Sequence, residues 1–189
     1  MKELNRNAFN RKLKQRKVAI VLGFYDGYKF IRRQLQSIFD QTHQNFIIFI
    51  TDDNSKDKFS LEKLNINERN KNKIRVGFRN KNIGYAQNFL NALVSIDGYF
   101  DYYAFSDQDD IWHREKLEKA INSLEEYPHN QANLYGSRTE LIGESEEIKL
   151  GKSIEFKKSP SFQNALTQNI FGGNTMVFNR NSFDLICSS

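Results

Sequence analysis

Two acidic clusters carry the chemistry this chain can offer: Thr51-Asp52-Asp53-Asn54-Ser55 and Ser106-Asp107-Gln108-Asp109-Asp110-Ile111-Trp112. Each follows an apolar run, Phe46-Ile47-Ile48-Phe49-Ile50 in one case and Tyr102-Tyr103-Ala104-Phe105 in the other. Such runs read as buried strands that stop at carboxylates. Side chains two apart on extended backbone point the same way, so Asp107 and Asp109 can converge on one cation. Gathered carboxylates repel one another unless a cation holds them. Hard divalent ions such as Mg2+ and Mn2+ favour oxygen donors of this kind and bridge to phosphate. In an open α/β sheet the ligand crevice lies at the carboxyl ends of the strands. The expectation is a metal–phosphate site there, able to clamp a diphosphate and neutralise charge on a leaving group. A solvated acidic loop capping the following helix is the plainer alternative.

Strands and helices must place those clusters. Residues 17–22 (Lys-Val-Ala-Ile-Val-Leu) read as a first buried strand ended by Gly23, with Phe24-Tyr25-Asp26-Gly27 as a turn. A helix follows with Phe30, Ile31, Leu35, Ile38 and Phe39 on one face. Residues 46–50 form the second strand, which predicts a right-handed parallel βαβ unit. Residues 65–73 read as a loop and 74–78 as a short strand. Residues 80–84 lead into a helix with Ala86, Phe89, Leu90, Leu93 and Val94 on one side. After the strand at 102–105, Leu117, Ala120, Ile121 and Leu124 mark an amphipathic helix closed by Pro128. Residues 132–135 read as a further strand, 144–158 as a charged irregular segment, and 171–178 as a glycine-led turn into a late strand. The pattern at 183–189 opens a helix without finishing it, so the chain reads as cut short.

A length of 189 residues allows one domain with a real core, and 16 Phe and 8 Tyr supply apolar surface to fill it. The single cysteine, Cys187, excludes an intrachain disulfide and a Cys-based zinc site, and fits a reducing compartment. No stretch approaches the ~20 apolar residues of a membrane span, and the N-terminus lacks a signal-peptide core. A cytoplasmic location is therefore expected. The formal charge of +5 is concentrated early, in Lys2, Arg6, Arg11, Lys12, Lys14, Arg16 and Lys17. A basic tail over 1–16 could touch the inner face of an anionic membrane, although a frayed, solvated tail is the plainer reading. The acidic clusters argue against nucleic acid as a partner, since a phosphate backbone would meet carboxylates. His43 and His129 read as surface residues.

Several motifs occur in order along the chain. Tyr25-Asp26-Gly27-Tyr28-Lys29-Phe30-Ile31 is followed by Gln34-Leu35-x-Ser37-Ile38, Gln41-Thr42 and Asp52-Asp53-Asn54-Ser55. Asn82-Ile83-Gly84-Tyr85-Ala86-x-Asn88, the second acidic cluster and Gly172-Gly173-Asn174-Thr175-Met176-Val177-Phe178-Asn179-Arg180 complete the set. Together they resemble the catalytic domain of glycosyltransferase family 2, and the Asp-Gln-Asp-Asp-x-Trp form resembles its rhamnosyltransferase-like branch. The resemblance implies a GT-A fold over 17–189: α/β, with a Rossmann-like, open, mostly parallel sheet flanked by helices. It implies an inverting, metal-dependent enzyme that moves a sugar, rhamnose being one candidate, from a dTDP- or UDP-linked donor to a glycan or lipid-linked glycan of the bacterial cell envelope. Phe24, Tyr25, Asp26, Asp52, Asp53, Gly84, Asn88 and Asp107 would bind the nucleotide sugar, Tyr25 against the base and Asp53, with Asp52, on base or ribose. Asp107 and Asp109 would hold Mn2+ or Mg2+. Asp110, Trp112, Gly172, Gly173 and Asn174 would lie toward the acceptor.

The chain departs from the family pattern at Gly23-Phe24, where small or hydroxyl residues are more usual, and at Asp26, which replaces Asn. The base that takes the acceptor proton is expected beyond Ser189, in a His-Asp-Trp type motif, so the catalytic residue is unassigned. Two rivals stand beside the leading reading. One is a donor-binding module without transfer activity. The other is a haloacid dehalogenase-type phosphatase, which would use Asp-x-Asp as nucleophile and acid but normally carries that pair after its first strand.

Overall fold

The computed structural model describes residues 13–143, 148–155 and 171–188. Its centre is strand β1 (Val18–Phe24), where all residues but Gly23 are buried. A strand buried on both faces must be apolar at every position, which is why this run lacks the alternation of a half-exposed strand. Beside it run β2 (Phe46–Asp52), β3 (Ile74–Phe78) and β4 (Tyr102–Ser106), all parallel. β8 (Val177–Asn179) pairs antiparallel with β4, and the short β5 (Leu134–Tyr135) antiparallel with β8. The order across the six-stranded sheet is β3-β2-β1-β4-β8-β5. This is the open, mostly parallel α/β sheet expected from the sequence.

Helices cover both faces. α1 (Tyr28–Phe39) joins β1 to β2, and α4 (Lys116–Leu124) follows β4. They bury Ile31, Leu35, Ile38, Leu117, Ala120, Ile121 and Leu124 with the side chains of Val18, Ile20 and Leu22. Each of the Val, Leu and Ile side chains among them contributes about 1.5–3 kcal/mol by leaving water. The opposite face packs Ala19 and Val21 with Ala92 and Leu93 of α3 (Tyr85–Val94) and Phe183 of α5 (Arg180–Ser188). Tyr103 stacks between Phe178 and Phe183, with ring centroids 5.7 and 4.2 Å away.

The structure corrects several local expectations. Within 65–73, Asn67 caps a single helical turn, α2 (Glu68–Lys71), by accepting from the Asn70 amide. The strand expected over 132–135 shrinks to two residues. Within the segment expected to be irregular, Lys149–Lys152 form β7, paired with β6 (Glu140–Ile142); 144–147 and 156–158 lie outside the described residues. The buried face of α3 is rotated from the expected one: Asn88, Ala92 and Leu93 are buried while Leu90 and Val94 are exposed. A buried polar side chain, Asn88, takes a place that the apolar pattern assigned to its neighbours. Phe30 likewise lies outside the core face of α1. Of the expected basic tail, residues 1–12 lie outside the described part. Arg16 is pinned to Asp101 at 3.0 Å and Glu125 at 2.7 Å. No described helix is long and apolar enough to cross a membrane.

His43 is buried at 5% exposure rather than on the surface, with Nε2 2.8 Å from the Arg16 carbonyl oxygen. Burial holds its pKa below the ordinary 6.5. As pH falls below 6.5, the unfolded chain therefore takes up a proton that the folded chain refuses, and stability falls. Asp107 and Asp110, whose pKa values are raised, act with the opposite sign in this window. The His43 contribution is therefore read as a difference: between pH 7 and pH 5 His43→Gln is expected to lose less thermal stability than wild type.

Candidate functional site

The strand order places the site. β2 and β4 lie on opposite sides of β1, so the connections leaving the carboxyl ends of β1 and β4 diverge and open a crevice. Register brings the ends level: Phe24 pairs with Asp52, Asp52 with Phe78, and Leu22 with Ser106. The Tyr25–Gly27 turn, the Asp52–Ser55 turn, the start of α3 and the Asp107–Trp112 loop thus share one rim. The Gly172–Thr175 turn, a short 3-10 helix preceded by Gly172, reaches the same loop, because the Asn174 side chain donates to Asp110 Oδ2 at 2.6 Å.

Each expected nucleotide-side residue has a definite place. Phe24 is 1% exposed, and its ring packs edge-on against Tyr28 and Phe59 at 5.2 and 5.1 Å, so it is a core side chain at the rim. Tyr25 is exposed. Asp26 adopts a φ of 45°, and its carboxylate accepts from the Lys56 amide at 2.9 Å while its own amide donates to Ser55 Oγ at 3.0 Å. Asp52 is wholly buried and accepts from the amides of Ser55 at 2.7 Å and Phe59 at 2.8 Å. Asp53 accepts from the amides of Ile83 and Gly84, both at 2.9 Å. One carboxylate closes its own loop, and the other fastens that loop to the start of α3. Gly84 has open space around it and a φ of 81°, so its glycine requirement here is conformational. Asn88 is buried, bonded to Thr51 Oγ1 at 2.7 Å and Arg79 Nε at 3.1 Å. It braces β2 beneath the rim.

Charge on the second cluster is unbalanced. Asp107 is raised to about 6 by burial, then by Asp110 and Asp109, against a smaller lowering by Lys116. Asp110 is also raised by burial, while Asn174 and Lys116 oppose the shift. Asp109 is exposed at the apex. Lys116, at the start of α4, has its amine lowered to about 7 by burial, against the pull of Asp110 and Asp107. That amine lies 3.8 Å from the centre of the Trp112 ring and donates to the Asn174 carbonyl oxygen. Trp112 itself is buried in the core. Gly172 and Gly173, expected toward the acceptor, are exposed.

The Glycosyl transferase family 2 profile matches residues 19–185. The chain belongs to that family. It is 37% identical over 123 residues to the dTDP-rhamnosyl transferase RfbG of Shigella flexneri, covering 60% of this chain and 39% of that one. A putative teichuronic acid biosynthesis glycosyltransferase of Bacillus subtilis, TuaG, is 27% identical over 163 residues, covering 86% of this chain and 62% of the relative. The chain thus spans less than two thirds of either relative. Among solved structures, S. aureus TarS 1-349 in complex with UDP-GlcNAc superposes with a TM-score of 0.50 at 25% identity, covering 62% of this chain and 33% of that one. Mannosyltransferase PcManGT from Pyrobaculum calidifontis, in complex with GDP-Man and Mn2+, gives 0.58 at 16%, covering 92% and 48%. These likenesses show the GT-A fold. Membership of this family leaves the phosphatase reading without support.

Two residues of this family 2 domain escaped the reading of its sequence. Lys116 was hidden in an ordinary amphipathic helix. Gln108, inside the acidic motif, uses its side-chain amide as a strand would use its backbone. It accepts from Tyr25 N at 2.8 Å and donates to Tyr25 O at 3.1 Å, joining the two loops across the crevice. A Cβ on Gly27 would come within 2.1 Å of the Gln108 amide oxygen, so the absent side chain there makes room for the clamp. Gly27→Ala and Gln108→Ala are expected to weaken nucleotide binding alike. The double variant should be scarcely worse than either single one, because Gly27→Ala already displaces Gln108. Calorimetry on the three variants checks this.

Proposed function

We propose that this domain binds a nucleotide-diphosphate sugar and transfers the sugar, with inversion, to a glycan or lipid-linked glycan acceptor. The observation that carries the reading is the under-compensated acidic loop, Asp107 to Asp110, set at the crevice between the ends of β1 and β4. Among the described residues no group of three or more His, Cys, Asp or Glu is placed to hold a metal alone. Mn2+ or Mg2+ in such sites keeps waters and takes one or two carboxylates together with substrate phosphates. Asp107 and Asp109 fit that requirement: one has its charge disfavoured by burial and like charges, and the other is exposed beside it. Bound there, the ion would supply charge neutralisation for the departing diphosphate.

The chain's own residues do the rest. Tyr25 offers an exposed aromatic face to a base. Asp53 retains lone pairs beyond those used by Ile83 and Gly84, so it can also accept a base N–H. Asp110, tied to Asn174, and Lys116 form the wall toward the acceptor. The Shigella flexneri relative supports a dTDP-linked donor and TarS a UDP-linked one. The test offers dTDP-rhamnose and UDP-GlcNAc to the full-length protein with Mn2+ and follows release of the free nucleotide. Release of one nucleotide in preference to the other supports the reading; no release from either, with no binding of either nucleotide, overturns it.

A further inference from the structure

Helix α1 turns polar side chains inward. Gln34 is 0% exposed, and Ser37 and Gln41 are buried with it. Their i, i+3, i+7 spacing sets them in one stripe along the helix and the turn that ends it. An apolar stripe would pack α1 on the sheet equally well, and a buried polar group left unpaired costs about 1–3 kcal/mol. The stripe therefore calls for partners, and its partners lie in one place. With the Gln34 amide turned to satisfy every neighbour, it donates to the Asp110 carbonyl at 2.5 Å and to Ser37 Oγ at 3.0 Å. In the same orientation it accepts from Trp112 Nε1 at 3.1 Å and from Ser106 Oγ at 2.6 Å. Ser37 Oγ accepts from the Trp112 amide at 3.0 Å. Gln41 donates to the His113 carbonyl at 2.9 Å and accepts from the Leu117 amide at 3.1 Å. Next along the chain, the Thr42 amide donates to the Arg114 carbonyl at 2.9 Å.

These contacts bracket the acidic side chains. They hold residues 106, 110, 112, 113, 114 and 117 and leave the apex, Asp109, free of the stripe. We propose that Gln34, assisted by Ser37 and Gln41, is a positioning residue: the buried polar stripe of α1 fixes the loop carrying Asp107, Asp109 and Asp110 in its donor-binding shape before any ligand arrives. The inference rests on the donor-site reading of that loop. It assigns the Gln-x-x-Ser-x-x-x-Gln spacing of α1 a task in binding, whereas the sequence offered only a match to a motif.

The chain contains one tryptophan, Trp112, so its emission reports the loop directly. Gln34→Met keeps side-chain length and removes the amide. The control is Ser182→Ala, which deletes a part-buried hydrogen bond, Ser182 Oγ to the Asn133 carbonyl at 3.0 Å, far from the loop in sequence. Both variants are measured well below their unfolding temperatures. In Gln34→Met the Trp112 emission should move to longer wavelength, and affinity for UDP or dTDP with Mn2+ should fall roughly 10–100-fold. Ser182→Ala should leave both readouts at wild type. Wild-type emission and wild-type affinity in Gln34→Met overturn the proposal, as does an equal change in Ser182→Ala. Should the wild-type protein bind neither nucleotide, the donor-site reading fails, and the emission arm alone decides whether the stripe holds the loop.

Discussion

Asp109→Ala is expected to lower manganese-dependent affinity for UDP or dTDP by at least about 100-fold while leaving folding stability within about 0.5 kcal/mol of wild type. The two halves of that result have separate causes. Asp109 is exposed at the tip of its loop, so its loss leaves no buried donor without a partner. Its negative charge raises the pKa of both Asp107 and Asp110, so removing it relieves repulsion in the metal-free protein. What the variant loses is an oxygen donor and half of the charge pair that a divalent ion would bridge to diphosphate. A loss of affinity accompanied by unfolding would mean that Asp109 is structural. Unfolding scans run beside the titrations separate the cases.

Asp52→Ala should do the reverse. This carboxylate is buried and holds two backbone amides, Ser55 at 2.7 Å and Phe59 at 2.8 Å. Hydrogen bonds to a charged acceptor contribute about 1.5–3 kcal/mol each, and the two amides would be left buried without it. The expected destabilisation is about 3 kcal/mol, or roughly 6–12 °C in the unfolding midpoint for a chain of this size. Nucleotide affinity measured below the midpoint should fall less than in Asp109→Ala. A variant that stays stable but loses nucleotide would place Asp52 on the ligand instead. Chemical denaturation of the two proteins decides it.

The contrast shows what the sequence could and could not tell. Strand runs such as 18–22 were legible because a strand buried on both faces must be continuously apolar. The clusters marked the candidate rim because a carboxylate is tolerated at the end of such a run only with partners: Asp52, the last residue of β2, is buried but accepts from two backbone amides. Division of labour inside a cluster was not legible. Asp52 and Asp53 are identical in type and adjacent, yet the turn geometry sends one into its own loop and the other to the start of α3. Gln34 and Gln41 had the same difficulty, since a polar residue on an apolar helix face looks like an interruption until its partners across the fold are seen. Lys116 reads as a solvated helix residue, and only the approach of Trp112 and Asn174 reveals its enclosure. Leu90 and Val94 erred the other way: apolar type suggested burial, but the buried Asn88 network turned α3 by part of a turn. Tertiary hydrogen bonding, which periodicity does not record, accounts for each of these.

In the proposed function the Asp107–Asp110 loop binds a nucleotide diphosphate through a divalent ion. Calorimetric titration with UDP and with dTDP, each with Mn2+ and with chelator, tests it most directly. Saturable binding of at least one nucleotide in Mn2+ that disappears on chelation is expected. Binding of neither nucleotide, or binding equally strong with the metal removed, would contradict it.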